Sequence, residues 1–168
     1  MMERAARDAE FVEFAQASAR RLTQAAYLMC RDWHLAQDLT QSALTKVYLA
    51  WSRIGRDGAD RYAYARTVLL RLVLDHKRLR RSTEIAVERV PDVGQVIDPP
   101  ETRITLLRAL MLLPARDRAI VVLRYWEDQS VQATAEALGI SEDMVRTRSR
   151  RALGVLRQYL LDTESILD

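Results

Sequence analysis

One cysteine, two histidines, five glycines and four prolines in 168 residues deny this chain several kinds of chemistry. Cys30 has no second thiol, so an intramolecular disulfide is excluded. Cys30, His34 and Asp38 are spaced by four, as ligands on one helix face are, but Asp32 can start a new helix between them and no further Cys or His cluster completes a metal site. Asp75 and His76 adjoin without a second carboxylate or a nucleophile placed to work with them. A Gly-rich phosphate loop and a nucleophile motif are both lacking. No catalytic residue, metal or cofactor is therefore expected. The first residues, MMERAARDAE, lack the apolar run of a signal peptide, and no stretch approaches membrane-spanning length. The expectation is a cytoplasmic protein with no membrane insertion.

What is present is a globular composition, 49% hydrophobic, with a formal charge of +3 and a pI near 9.3. A balance so mildly basic leaves any nucleic-acid footprint to local clustering. Residues 1–60 hold eight basic and eight acidic side chains, whereas Arg61 to Arg81 hold seven basic against one acidic, Asp75. From Ser82 to Glu101 the sign reverses: Glu84, Glu88, Asp92, Asp98 and Glu101 face only Arg89, an acidic connector between basic modules.

Apolar periodicity predicts helices throughout and no strand. Phe11, Phe14, Ala15, Ala19, Leu22, Ala25, Ala26 and Met29 mark a helix from roughly Glu10 to Cys30. Asp32 can cap a second helix with Leu35, Leu39, Ala43, Leu44, Val47, Tyr48 and Trp51 inward. Gly55 and Gly58 predict a loop over Ser52 to Asp60, followed by a third helix from about Arg61 to Arg80 with Tyr64, Val68, Leu72 and Leu79 among its apolar positions. Trp51 and Tyr64 fit buried faces, while Tyr62 suits core packing and base stacking equally. Glu84 to Pro100 has no sustained period and holds three of the four prolines. Helix resumes near Thr102, stops before Pro114 and restarts there to about Trp126. The architecture predicted is all-α: two small helical domains, 1–81 and 102–168, on a flexible linker, 82–101.

The most informative stretch is Ser130 to Leu156, whose spacing fits a helix-turn-helix. Ala135 is small where a second helix must cross. Gly139 can take the left-handed backbone that ends the first helix, and Ser141 can cap the second, with Glu142 and Asp143 in its first turn. Val145, Ser149, Ala152, Leu153 and Leu156 are expected to pack inward on a helix reaching about Leu160. Arg146, Thr147, Arg148, Arg150 and Arg151 then fan outward, and guanidinium forks suit phosphates and guanine edges. Arg146 and Arg150 are expected to read bases and Arg148 to hold phosphate.

Three stretches in order, DLTQSALTKVYLAW, YARTVLLRLVLDHKRLRR and LLPARDRAIVVLRYWEDQSVQATAEALGISEDMVRTRSRRAL, resemble the extracytoplasmic-function sigma factors, the two-domain initiation subunits of bacterial RNA polymerase. The resemblance covers about Phe11 to Leu160. It implies promoter selection with core RNA polymerase and promoter DNA as partners, and an anti-sigma factor as restraint. It implies core docking through Asp38 and Gln41. It assigns minus-ten contacts to Arg53, Arg56, Arg61, Tyr62, Arg71, Lys77, Arg78, Arg80 and Arg81, with Gly55 and Gly58 letting a loop close around a flipped base. It places the minus-35 readers on Arg146, Thr147, Arg150 and Arg151, beside which the helix face adds Arg148 as a phosphate contact. The chain departs from the family pattern at Arg71, where asparagine is frequent, and at Thr67, where arginine is common. The alternative function is a stand-alone helix-turn-helix regulator acting as a dimer.

Overall fold

The structure, a computed structural model, describes residues 1–82 and 101–167, with side chains described for 1–76 and 104–163. The described residues contain helices and no strand, as the periodicity predicts. The expected linker falls almost wholly outside them. The chain divides into two compact units, Met1–Ala86 and Val87–Asp168.

The N-terminal unit is three helices: α1 (Met2–Cys30), α2 (Trp33–Arg56) and α3 (Arg61–Ser82), with α2 packed on both others. The helix α1 starts well before Glu10 because polar contacts hold its first turns. Asp8 accepts a 2.8 Å hydrogen bond from the Tyr48 hydroxyl, and the Arg7 guanidinium lies over the Tyr48 ring. It stops where Arg31 adopts the left-handed conformation (φ 55°) and donates its N–H to Tyr27. Asp32 caps α2 as expected, its carboxylate accepting from the Leu35 N–H at 2.9 Å. The core is a ring cluster in which Phe11 and Phe14 pack against buried Trp51 with centroids 5.3 and 5.1 Å away.

Two expectations for this unit are corrected. The loop is not Ser52 to Asp60, since α2 continues through Arg56 and leaves only residues 57–60 outside helix. Ile54, 2% exposed, extends the buried stripe of Val47 and Trp51, and its burial outweighs the helix penalty of Gly55, roughly 1 kcal/mol. On α3 the buried positions are Ala65, Leu69, Leu70 and Val73, while Tyr64, Val68 and Leu72 are half-buried and the Leu79 side chain lies outside the described residues. Between 63 and 74 only Arg66, Thr67 and Arg71 interrupt the apolar residues, so the apolar face is wide, and packing against α1 and α2 decides which part of it is buried.

The C-terminal unit comprises α4 (Glu101–Leu112), α5 (Ala115–Val121), a π-helical turn (Val122–Trp126), α6 (Val131–Leu138) and α7 (Glu142–Leu167). Pro114 separates α4 from α5 as expected. Two features there were not legible. Arg118, 6% exposed, donates to the carbonyls of Leu110 (2.7 Å), Leu113 (2.8 Å) and Met111 (3.4 Å) at the end of α4, where Leu110 also accepts the Leu113 N–H at 3.2 Å. The π turn, closed by the Glu127 N–H on the Val122 carbonyl, brings Glu127 to 1% exposure before the helix-turn-helix begins. Ser130 then caps α6 through the Ala133 N–H at 3.0 Å.

Candidate nucleic-acid interface

The helix-turn-helix forms where the sequence places it. Gly139 ends α6 in the left-handed conformation (φ 64°, ψ 39°), the Ile140 N–H returns to Ala135, and the Ser141 hydroxyl accepts from the Met144 N–H at 3.1 Å to start α7. Ile120, Ala135 and Val145 are buried together, with Val131, Leu138 and Ile140 packed on them, so α6 and α7 share one small core with α5.

Along α7 the stripe Val145, Ser149, Ala152 and Leu156 is buried, and Arg146, Thr147, Arg150 and Arg151 are exposed. Two expectations fail at its edges. Leu153 is 40% exposed, because at about 100° per residue it lies roughly 80° around the helix from Val145. Arg148 lies roughly 60° to the other side and does not fan outward. Its Nη1 is 2.8 Å from Oδ1 of Asp117 on α5, a carboxylate only 6% exposed. The α7 helix also continues to Leu167, beyond Leu160.

The exposed arginines of α7 differ among themselves. Arg146 is held by the acidic first turn, 2.8 Å from Glu142 and 3.1 Å from Asp143. Such solvent-exposed pairs contribute little, about 0.3–0.5 kcal/mol, and yield readily to another anion. Arg150 and Arg151 form no ion pair among the described residues.

In the N-terminal unit the expected minus-ten residues divide in the same way. Arg61 is a structural residue: its guanidinium carbon lies 4.0 Å from the Trp51 ring centroid and its Nη2 is 3.2 Å from Glu10. Gly55 serves this contact, for a Cβ there would meet Arg61 Nη2 at 3.1 Å; it does not hinge a loop. Gly58, at φ 63°, does turn the chain. Arg53 donates to the Tyr64 hydroxyl at 3.1 Å and Arg56 to the Ser52 carbonyl at 3.3 Å, both at the surface. Tyr62 is half-buried, and Arg21 and Arg66, which the sequence did not single out, place guanidinium carbons 4.9 and 5.7 Å from its ring centre. Arg71 is exposed. Lys77, Arg78, Arg80 and Arg81 belong to α3, but their side chains lie outside the described residues.

Asp38 and Gln41 are both exposed on α2, and Leu49, also on α2, is 80% exposed. No group of His, Cys, Asp and Glu among the described residues is arranged to hold a metal, and no described helix is long and apolar enough to cross a membrane. Of the residues that sequence reasoning passed over, Arg118 had a usable signal. A proline that opens a helix strands the carbonyls of the helix before it, and an arginine one turn on can reach back to them. Asp117 had none, its partner being 31 residues away.

Residues 14–83 match the family described as sigma-70 region 2, and residues 103–156 match sigma-70 region 4. The chain is 35% identical over 153 residues to an RNA polymerase sigma-E factor of Streptomyces avermitilis, covering 90% of this chain and 85% of the relative. It is 32% identical to the ECF RNA polymerase sigma factor SigM of Mycobacterium tuberculosis, covering 84% and 72%. The fold is that of the sigma factor RpoE of Bartonella quintana, solved in complex with the anti-sigma factor NepR, with a TM-score of 0.70 at 22% identity over 90% of this chain and 96% of that one. A region 2 and a region 4 on one chain argue against the stand-alone dimeric regulator. The chain belongs to the extracytoplasmic-function sigma factors, the subunits that direct RNA polymerase to specific promoters.

Proposed function

We propose that the two units read two promoter elements through separate surfaces. Arg146, Thr147, Arg150 and Arg151 on α7 contact the minus-35 element. The end of α2 and the exposed side of α3 engage minus-ten DNA through Arg53, Arg56, Tyr62 and Arg71, continued by Lys77, Arg78, Arg80 and Arg81. Asp38 and Gln41 dock the core polymerase. The observation that carries this reading is α7 itself, a helix with one buried face and an opposite exposed face of three arginines and a threonine at the second position of a helix-turn-helix. Arg61 and Arg148 are left out of the contact set because each is held by a buried partner, the Trp51 ring and the Asp117 carboxylate, whereas the partners of Arg146 are at the surface.

The chain on this reading is cytoplasmic, uses no cofactor and catalyses no bond chemistry; binding energy to exposed bases favours the open duplex. Its restraint is an anti-sigma factor, as in the Bartonella complex of the same fold. The segments 1–81 and 102–168 are separate domains. Run-off transcription with core polymerase on a random promoter library tests the reading, which fails if the chain enriches no sequence pair. Arg71→Asn is expected to change the preferred minus-ten base and leave core binding intact; an unchanged preference removes Arg71 from the minus-ten contacts.

A further inference from the structure

The pairing of Arg148 with Asp117 gives α5 a part in promoter reading. Asp117 lies in the first turn of α5, where the helix dipole favours its negative charge, and its carboxylate is 6% exposed. The Arg148 side chain, 34% exposed, reaches it from α7 at 2.8 Å. Val145 and Ser149, the neighbours of Arg148 on the buried stripe, are 0% and 7% exposed. A small apolar stripe restrains rotation of α7 about its own axis weakly, since apolar contact is non-directional. A charge-assisted hydrogen bond at the stripe's edge is directional and resists that rotation. Arg146 and Thr147 precede Arg148 within the same helical turn, so the same rotation sets where they and Arg150 point.

We propose that Asp117 is a positioning residue for minus-35 recognition, fixing through Arg148 the angle at which α7 presents Arg146, Thr147, Arg150 and Arg151 to the bases. This rests on the reading of α7 as the minus-35 helix. Arg148 is then a strut inside the unit, and it contributes selectivity without touching phosphate.

The test uses the full chain reconstituted with core polymerase. Binding to promoter fragments varied at each minus-35 position is measured at several salt concentrations for Asp117→Asn, Arg148→Gln, the double variant, Arg148→Lys and Arg150→Gln. The expected result is that Asp117→Asn and Arg148→Gln each lower the ratio of preferred to non-preferred binding by about five- to fiftyfold, with the double variant no worse than either. The salt slope stays as in the parent, and Arg148→Lys, which can still donate one hydrogen bond to Asp117, restores selectivity. The inference is overturned if Arg148→Gln weakens all sequences alike and reduces the salt slope by about 0.9, the signature of a lost phosphate contact. It is equally overturned if Asp117→Asn leaves selectivity unchanged, or if the two effects add. Should Asp117→Asn fail to fold, the half-exposed Arg148→Gln and Arg148→Lys variants decide between strut and phosphate contact through the salt slope. An Arg150→Gln chain that keeps the parent's ranking of sequences counts against the reading of α7, a result separate from the behaviour of Asp117.

Discussion

In the N-terminal unit three guanidinium groups lie over aromatic rings, Arg61 over Trp51 and Arg21 and Arg66 over Tyr62. In the C-terminal unit they rest on oxygen: Arg118 on the carbonyls of α4, Arg148 on Asp117, Arg146 on Glu142 and Asp143. The difference follows from what each core has to offer. The first has Phe11, Phe14 and Trp51 at its centre, whose faces attract a cation as its hydrocarbon stem packs beside them. The second has a core of aliphatic residues and more helix ends, which leave carbonyls to pair. In both, a count of basic residues overstates the charge left for DNA.

The comparison predicts that Arg118 and Arg61, held inside their units, act on stability and the outward Arg150 on selectivity, while Arg148 acts on selectivity only through Asp117. The largest effect is expected at Arg118. Its replacement by Met keeps the hydrocarbon stem and strands the Leu113 carbonyl, while Leu110 keeps only the Leu113 N–H, so stability should fall by about 2–4 kcal/mol. Urea unfolding followed by circular dichroism measures this, and a loss below 1 kcal/mol would mean that water pairs those carbonyls equally well. Next comes Arg150→Gln, which should cost about 1–3 kcal/mol of discrimination at one base pair while the unfolding midpoint stays put. A fall in stability with no change in discrimination would place Arg150 on the inward side.

Arg61→Met sharpens the aromatic half of the comparison. Losing the cation from the desolvated face of Trp51 should cost about 1–2 kcal/mol, with the exposed pair to Glu10 adding little. Minus-ten opening, read by permanganate reactivity of unpaired thymines, should be unaffected at a temperature where the variant is folded. The smallest effect is expected at Gly55→Ala. A helix gains about 1 kcal/mol from alanine over glycine, but the new methyl crowds Arg61, so stability should move by less than about 0.5 kcal/mol. In the Arg61→Met background the same change should stabilise by about 1 kcal/mol. Additive behaviour would break the claim that Gly55 exists to admit the guanidinium.

The helix-turn-helix was legible because its signals are local: Gly139 ends one helix by its backbone freedom and Ser141 starts the next by its hydroxyl, and both act over three or four residues. Asp32 was legible for the same reason. The loop after α2 was misread because Gly55 carries the local signal of a break, while the burial of Ile54 and the approach of Arg61 come from elsewhere in the chain. On α3 the buried residues Ala65, Leu69, Leu70 and Val73 lie opposite Thr67, Arg71 and Asp75, and the half-buried Tyr64, Val68 and Leu72 stand to one side of that face, where packing against α1 and α2 decides the exposure.

By itself, then, the sequence determined the helices, their caps and the basic exposed face of α7, since each depends on hydrogen bonds and side-chain spacing within a turn or two. The tertiary structure alone decided which arginines remain available. The acidic partners of Arg61 and Arg148, Glu10 and Asp117, stand 51 and 31 residues away, and only folding brings each carboxylate close enough to hold a charge that the sequence shows as free.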